Sequence, residues 1–385
     1  MNKKITIFSF LSLFLIHTVH GMEKGTIKFI SNQKYDYPYL VKDILDNKKF
    51  NNFACEQFVC SQDGCIKSIE SAQKRGAQVN LFVGPHYQNK QVLSTIKGVH
   101  KDNNIHGKAT VGVEHSPSTH VHSLKKTPMI GTALIGSGNT SNQTWKHMPQ
   151  QQNPIYNFES GILINNHPLV SNAYSMIKSQ SLMQPEEKLI TIQETPKKPE
   201  LYGSCNTNFS NSIVTRLNNF SAIKDPEKKA LIRTMTFSDP DIAEALIKIG
   251  PHAELLVDSA ALTKNGIPLL DKISSAGVSV NVFCAKNGSR AKLHPKDITL
   301  ISENKTMHMN FTANLSNKNR QRNYMVLVPN DEEVVADATT DFKTVKEYCT
   351  PYEKAKQLKK ENNLIKATKR KLDSAKNPPA KKKRK

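Results

Sequence analysis

The sequence predicts an α/β fold of two similar lobes, and three observations carry that prediction. Helix-period and strand-period segments alternate, short segments recur in the same order in the two halves, and a proline-bearing stretch lies between them. The 385 residues leave room for two or three domains and an ample core. Apolar residues make up 37%, which even with the 17 glycines stays below the ~45–50% of an average domain. Some of the chain therefore lies outside a core.

Three recurrences define the lobes. Arg75-Gly76-Ala77-Gln78-Val79-Asn80-Leu81-Phe82-Val83 is echoed by Ala276-Gly277-Val278-Ser279-Val280-Asn281-Val282-Phe283-Cys284. Each follows a helical pattern (Ile66, Ile69 and Ala72; Leu269, Leu270 and Ile273) that ends at glycine before alternation opens a strand. Gly136-Ser137-Gly138-Asn139-Thr140-Ser141-Asn142 is echoed by Phe311-Thr312-Ala313-Asn314-Leu315-Ser316-Asn317. Asn157-Phe158-Glu159, followed by the apolar run from Ile162, is echoed by Asn323-Tyr324-Met325 and the run from Val326. Ser238-Asp239-Pro240 predicts a helix start, Gly250 its end and Ala253–Val257 the next strand. Pro185, Pro196 and Pro199 mark a connection. The expected organisation is a signal segment over 1–21, a first lobe over 22–183, a linker over 184–212, a second lobe over 213–350 and a disordered basic tail over 351–385.

Both ends carry charge. Asn2-Lys3-Lys4, an apolar run Ile5–Val19 and the small residue Gly21 read as a secretory signal, so the expected location is secreted or periplasmic. That run is shorter than the ~20 residues of a spanning helix, which excludes a polytopic membrane protein. In an oxidising compartment the six cysteines allow 15 pairings, among which the sequence does not choose. Cys55, Cys60 and Cys65 lack the C-x2-C spacing of a zinc site, and Cys284 reads as a buried strand thiol. Residues 351–385 hold 14 Lys and Arg against 3 Asp and Glu, about half of the chain's net charge of +21. Lys369-Arg370-Lys371 and Lys381-Lys382-Lys383-Arg384-Lys385 resemble a bipartite nuclear-import signal, as suits an exported protein acting in a host nucleus; plain electrostatic binding to nucleic acid or anionic lipid is the simpler alternative.

The chemistry-bearing residues fall once per lobe. His294-Pro295-Lys296 precedes Thr312-Ala313-Asn314, and His122 precedes Ser137-Gly138-Asn139 by a comparable interval. A histidine, a hydroxyl and an amide from each lobe suit a phosphodiester: one imidazole attacks phosphorus, the other protonates the leaving oxygen, and lysine and asparagine hold the non-bridging oxygens. This scheme requires no metal or cofactor.

With these motifs the chain resembles the phospholipase D superfamily, whose members pair two H-x-K-x4-D-x6-G-S-x-N motifs from two similar lobes. The resemblance spans roughly Cys65 to Val328 and implies a phospholipase D-like fold, each lobe a mixed β-sheet flanked by helices, in a monomer. Gly136-Ser137-Gly138-Asn139 matches the closing element, and counting back twelve from Gly136 puts Leu124 at the lysine position, with Lys125 and Lys126 beside it. Met129 stands for the aspartate. The second motif keeps His294 and Lys296, has Ile301 for the aspartate, and closes three residues late; Glu303 is a stand-in acid only across a longer turn. Glu159 fits the family's orienting carboxylate, and Met325 takes the matching place in the second lobe. The implied site is His122, Lys125, Ser137, Asn139, Glu159, His294, Lys296, Thr312 and Asn314. His106-Gly107-Lys108 is a rival first motif with intact H-x-K spacing, although its lysine lies 28 residues before Gly136. The resemblance makes the first-lobe histidine the nucleophile; the better-kept surroundings of His294 favour the reverse.

The expected activity is phosphoric diester hydrolysis, with phospholipid the favoured substrate. Alternatives are an endonuclease and a catalytically weakened polyanion-binding protein of the same fold. Aromatic residues are 7% with a single Trp145, little support for base stacking, and no amphipathic basic helix bearing Trp or Phe marks a membrane anchor.

Overall fold

The computed structural model describes residues 25–376 apart from 33, 86–88, 104, 115–129, 139–156, 179–196, 206, 286–290 and 317–321. The proposed signal segment lies outside the described residues, as do the last nine residues of the basic tail. No helix among the described residues is long and apolar enough to cross a membrane.

The first sheet combines β1 (Thr26–Ser31), β2 (Asn52–Gln57), β3 (Gln78–Val83), β4 (Val99–Lys101), β5 (Lys108–Val113), β6 (Gly131–Gly136) and β7 (Ser160–Asn165), in the order β1-β7-β6-β5-β2-β3-β4. Its helices are α1 (Tyr37–Asp46), α2 (Asp63–Lys74), α3 (Lys90–Thr95) and α4 (Pro168–Lys178). The second sheet is built from β8 (Glu200–Cys205), β9 (Lys229–Thr234), β10 (Ala253–Asp258), β11 (Ser279–Phe283), β12 (Asp297–Ser302), β13 (Lys305–Phe311), β14 (Arg322–Pro329) and β15 (Cys349–Pro351), ordered β15-β11-β10-β9-β12-β13-β14-β8. With it go α5 (Thr207–Ser221), α6 (Pro240–Ile249), α7 (Gly266–Ser275), α8 (Glu332–Lys346) and α9 (Tyr352–Lys376). Both sheets are mixed. β2, β3 and β4 run parallel, as do β9, β10 and β11, and an antiparallel meander (β5-β6-β7, β12-β13-β14) completes each.

Read from β8 inward, the second order repeats the first strand for strand, with β15 added at the far edge. The topology therefore equates β3 with β10 and β4 with β11, which corrects the first recurrence: it had paired β3 with β11. Each lobe holds two successive helix-Gly-strand units, and a local echo cannot tell them apart. The helix ends are as predicted. Gly76 (φ +84°), Gly250 (φ +61°) and Gly277 (φ +90°) adopt the left-handed backbone that glycine tolerates best. Asp239 accepts from the Asp241 and Ile242 amides to cap α6, with Pro240 at its first position, and β10 follows at Ala253.

Outer helices α1 and α2 cover one face of the first sheet, and α5, α6 and α7 cover one face of the second. α4 and α8 lie between the sheets. Leu169, Val170, Ala173, Tyr174 and Ile177 pack with Ile135, Ile162 and Ile164 of one lobe and with Tyr324, Val326, Val328 and Val334 of the other. That shared core fixes the lobes together.

Two expectations about the connections change. Residues 200–205, assigned to the linker, form the edge strand β8 paired along β14, and α5 starts at Thr207. The start of the tail is helix: Tyr352 and Ala355 of α9 are buried in the second lobe's core. No disulfide joins Cys55, Cys60, Cys65, Cys284 or Cys349. Burial pushes the Cys55 thiol up to about 12, as befits an inert core thiol.

Candidate active site

Both His-x-Lys motifs enter a strand at the same edge of the sheets. In the second lobe His294 and Lys296 precede β12, whose first residue Asp297 pairs with Arg233 near the C-terminal end of β9. In the first lobe Lys108 opens β5 and pairs with Gln57 at the C-terminal end of β2, which places His106 and Lys108 in the equivalent position. Among the described residues the rival motif is thus the first-lobe counterpart of His294 and Lys296. His122, Lys125 and Asn139 lie outside the described residues. Counting back from Gly136 missed His106 because β5 and β6 are joined by the long connection 114–130, whereas β12 and β13 meet in a tight turn.

The orienting residues cross between lobes. His294 Nδ1 lies 2.7 Å from Glu159 Oε2, contributed by the first lobe just before β7. His106 Nδ1 lies 3.0 Å from Asn323 Oδ1, contributed by the second lobe in β14. Ser137 donates to Glu159 Oε2 at 2.5 Å and accepts from the Ser160 amide; Thr312 donates to Asn323 Oδ1 at 3.0 Å and accepts from the Tyr324 amide. Ser137 and Thr312, expected among the catalytic groups, thus position the residues that orient the histidines. The same bonds equate Glu159 with Asn323. Met325, given that place from sequence, is a buried core residue two positions on. Glu303 is exposed in the β12–β13 turn, six residues beyond Asp297 and so about 20 Å along the strand at ~3.3 Å per residue; it is no stand-in acid.

A further layer, unmarked in the sequence, clamps each orienting residue through its chain neighbour. Ser160 donates to Asp297 at 2.6 Å, and Asp297 takes two bonds from Arg233, which also binds Asp341 of α8. The position equivalent to Arg233 in β2 is Glu56. It accepts from the Tyr324 hydroxyl at 2.6 Å and from the Gly107 amide at 3.1 Å. A Cβ on Gly107 would lie 2.4 Å from Glu56 Oε1 and 2.5 Å from Tyr324 Cε2, so only glycine fits between this His and Lys. Phe58 walls the first half-site, its ring centroid 5.4 Å from that of His106 and 5.7 Å from the Lys108 ammonium.

The site is buried and cationic. Lys108, Lys296 and Glu159 are almost completely enclosed, each lysine bonded to the carbonyl of its own motif's histidine. Burial lowers Lys296 to about 7 and holds Lys108 well below its ordinary value, with Lys296 adding to the latter effect. Burial lifts Glu159 to about 7 against the pull of Lys296, Ser137 and Lys108. His294 is held well below its usual value by burial and by Lys296 and Lys108; His106 likewise by burial, Lys108 and Lys296. These mutual influences join both motifs in one electrostatic cluster. A monoanion placed among two ammoniums and one carboxylate would restore charge balance, which is the demand a diester meets. Asn314 is half-buried two residues past Thr312 and lines a cavity of about 250 Å³ with Phe209, Ile213, Asp239 and Ile242. Among the described residues no cluster of three or more His, Cys, Asp or Glu could hold a metal.

No protein-family profile and no curated protein matches the sequence. Solved structures do. Polyphosphate kinase from Porphyromonas gingivalis aligns with 83% of the chain at TM-score 0.57 and 12% identity, the chain spanning 46% of that enzyme. Phosphatidylserine synthase from Haemophilus influenzae aligns with 89% of the chain and 94% of its own length, at TM-score 0.52 and 12% identity. Yeast tyrosyl-DNA phosphodiesterase aligns with 79% of the chain and 89% of its own, at TM-score 0.44 and 11% identity. At these identities the likeness concerns architecture. The chain has the two-lobed α/β fold of the phospholipase D superfamily.

Proposed function

We propose that the chain cleaves phosphodiesters through a phosphohistidine on His294, with His106 as the acid and then the base. The observation that carries this reading is the crossed pairing of two histidines with unlike partners, Glu159 at 2.7 Å and Asn323 at 3.0 Å. With each Nδ1–H donated to its partner, Nε2 is left for the reaction.

The unlike partners divide the roles. A nucleophilic imidazole becomes cationic as its Nε2 lone pair bonds to phosphorus, and it stays so until the P–N bond breaks; in a buried site that cation needs a carboxylate. His294 has one. The acid, whose charged form burial and the two lysines disfavour until an anionic phosphate enters, begins the reaction charged and ends neutral, and an amide partner does not resist the loss of its proton. In the first step His294 Nε2 attacks phosphorus, the P–O bond to the leaving group breaks, and His106 Nε2–H protonates that oxygen. In the second, water attacks phosphorus, His106 takes its proton, and the P–N electron pair returns to His294. Lys108 and Lys296 stabilise the charge on the non-bridging oxygens. Headgroup release from a phospholipid and nucleic-acid cleavage would both pass through this sequence.

The test is a pair of variants on two diesters. Without His294, hydrolysis should fall by about 10³-fold or more on any diester. His106→Ala should fall as far on a diester with a poor leaving group, yet retain most of the formation of the covalent intermediate from bis(p-nitrophenyl) phosphate, whose leaving group needs no proton. Wild-type activity that survives His294→Ala would reject the site. Retained polyanion binding without turnover of any diester would instead support the non-catalytic alternative.

A further inference from the structure

The C-terminal helix α9 is docked at its start. Tyr352 is buried, and its hydroxyl donates to Asp271 at 2.7 Å in α7; Lys356 pairs with the same carboxylate, and Lys359 donates to the Leu262 carbonyl. From Glu361 to Arg370 every residue is exposed.

The docking contacts give the helix a direction. Moving from Asp271 back to Leu262 runs along α7 toward the C-terminal edge of β10 and β11. Asp258, which closes β10 four residues before Leu262, accepts from the Leu293 amide at 2.8 Å, next to His294. So α9 heads for the sheet edge that carries the site and passes it. The 17 residues from Lys360 to Lys376 add about 25 Å at ~1.5 Å per residue.

The extension is cationic. Lys359, Lys366 and Arg370, seven and four residues apart, share one face, with Lys360 and Lys369 alongside; Glu361 is the only acidic residue from 359 to 370. A membrane-lying helix would bring a continuous apolar face with interfacial aromatics. Here no aromatic residue follows Tyr352, and the exposed apolar side chains Leu358, Leu364 and Ile365 are interrupted by Glu361.

We propose that α9 is a nucleic-acid-binding arm: its cationic face holds the phosphate backbone of a polynucleotide running along the sheet edge that carries His294. This rests on the phosphodiester reading of that site and extends it to a substrate class. The chemistry is backbone recognition by point charges, which predicts little sequence preference and a steep salt dependence.

The test uses the full chain and the variant Lys360→Gln/Lys366→Gln/Lys369→Gln/Arg370→Gln, glutamine being a good helix former. Binding to a labelled 30-base-pair duplex and a 30-nucleotide single strand is measured by anisotropy between 50 and 200 mM salt, and partition onto 3:1 phosphatidylcholine–phosphatidylserine vesicles by flotation. Circular dichroism checks that the variant keeps its helix. The variant is expected to lose about tenfold or more in nucleic-acid affinity at 150 mM salt, with a log–log salt slope shallower by ~0.9 per lost contact on the duplex, and unchanged turnover of bis(p-nitrophenyl) phosphate. A helical variant with wild-type nucleic-acid affinity would overturn the proposal. So would a variant that loses only vesicle binding, which would make α9 a membrane contact. Binding is read without turnover, so a wild-type protein inert on small diesters would remove the catalytic reading while the affinity comparison still decides the arm.

Discussion

Two half-sites of one architecture face each other, and they differ in the charge of the partner behind each histidine. His294 has the Glu159 carboxylate, His106 the Asn323 amide, each steadied by a hydroxyl in the same place, Ser137 or Thr312. The layer behind diverges too: Asp297 and Arg233 clamp Ser160 on one side, and Glu56 clamps Tyr324 on the other. Duplicated geometry with unequal charge gives one histidine suited to bear a lasting positive charge and one suited to pass a proton.

Removing the charge that distinguishes the halves should have the largest effect. Glu159→Gln keeps a hydrogen-bond acceptor but withdraws the counter-charge, and kcat/KM should fall by about 10³-fold, comparable to losing an acid–base group. A loss under tenfold would mean that Glu159 only orients the ring. Arg233→Ala tests the clamp. It would leave Asp297 and Asp341 buried beside each other without their cation, so unfolding free energy should drop by about 3–5 kcal/mol in a denaturant titration. Unchanged stability would show that the triad is not a structural tie.

Smaller differences between the halves should show in the pH dependence. Glu159 must be ionised and Lys296 protonated; both sit at about 7, the first raised and the second lowered by burial. Activity should therefore rise as Glu159 ionises, fall as Lys296 loses its proton, and peak near neutrality in a kcat/KM profile. Lys296 also carries a stability signature. Its folded value lies below the unfolded one, so the folded state holds fewer protons between about 7 and 10.5, and its penalty is largest below pH 7. Lys296→Met should accordingly raise the melting temperature most in acid while abolishing turnover; a lower melting temperature at pH 6 would contradict the assigned burial cost. Asn323→Asp makes the halves alike. A second buried carboxylate should favour the protonated forms of His106 and of the lysines coupled to it, and so move the alkaline limb set by Lys296 up by about one unit. An unmoved limb would mean that the residue behind His106 does not act on the charges of the site.

Much of this was legible in the sequence, for physical reasons that also mark where legibility ends. Asp239-Pro240 and Gly250 fixed α6 because caps are local chemistry, and His294-Pro295-Lys296 stood out because its spacing survives in a short connection. His106 was harder to place because the long connection 114–130 breaks the interval to Gly136. Asn323 was misread by two positions, as Met325, because the local echo set Asn323-Tyr324-Met325 against Asn157-Phe158-Glu159 and so matched Asn323 with Asn157, whereas the hydrogen bonds match it with Glu159. The clamps Arg233–Asp297–Ser160 and Glu56–Tyr324 carry no local signal at all. Their partners lie up to 268 residues apart, and only the packed lobes reveal them.

The most direct measurement is to trap the covalent intermediate and find which histidine bears it. The protein is mixed with a radiolabelled diester, quenched in alkali, where phosphohistidine survives, and digested. Label is expected on the peptide containing His294, absent in His294→Ala and retained in His106→Ala when the leaving group is p-nitrophenol. Label on the His106 peptide, or turnover with no labelled histidine, would contradict it.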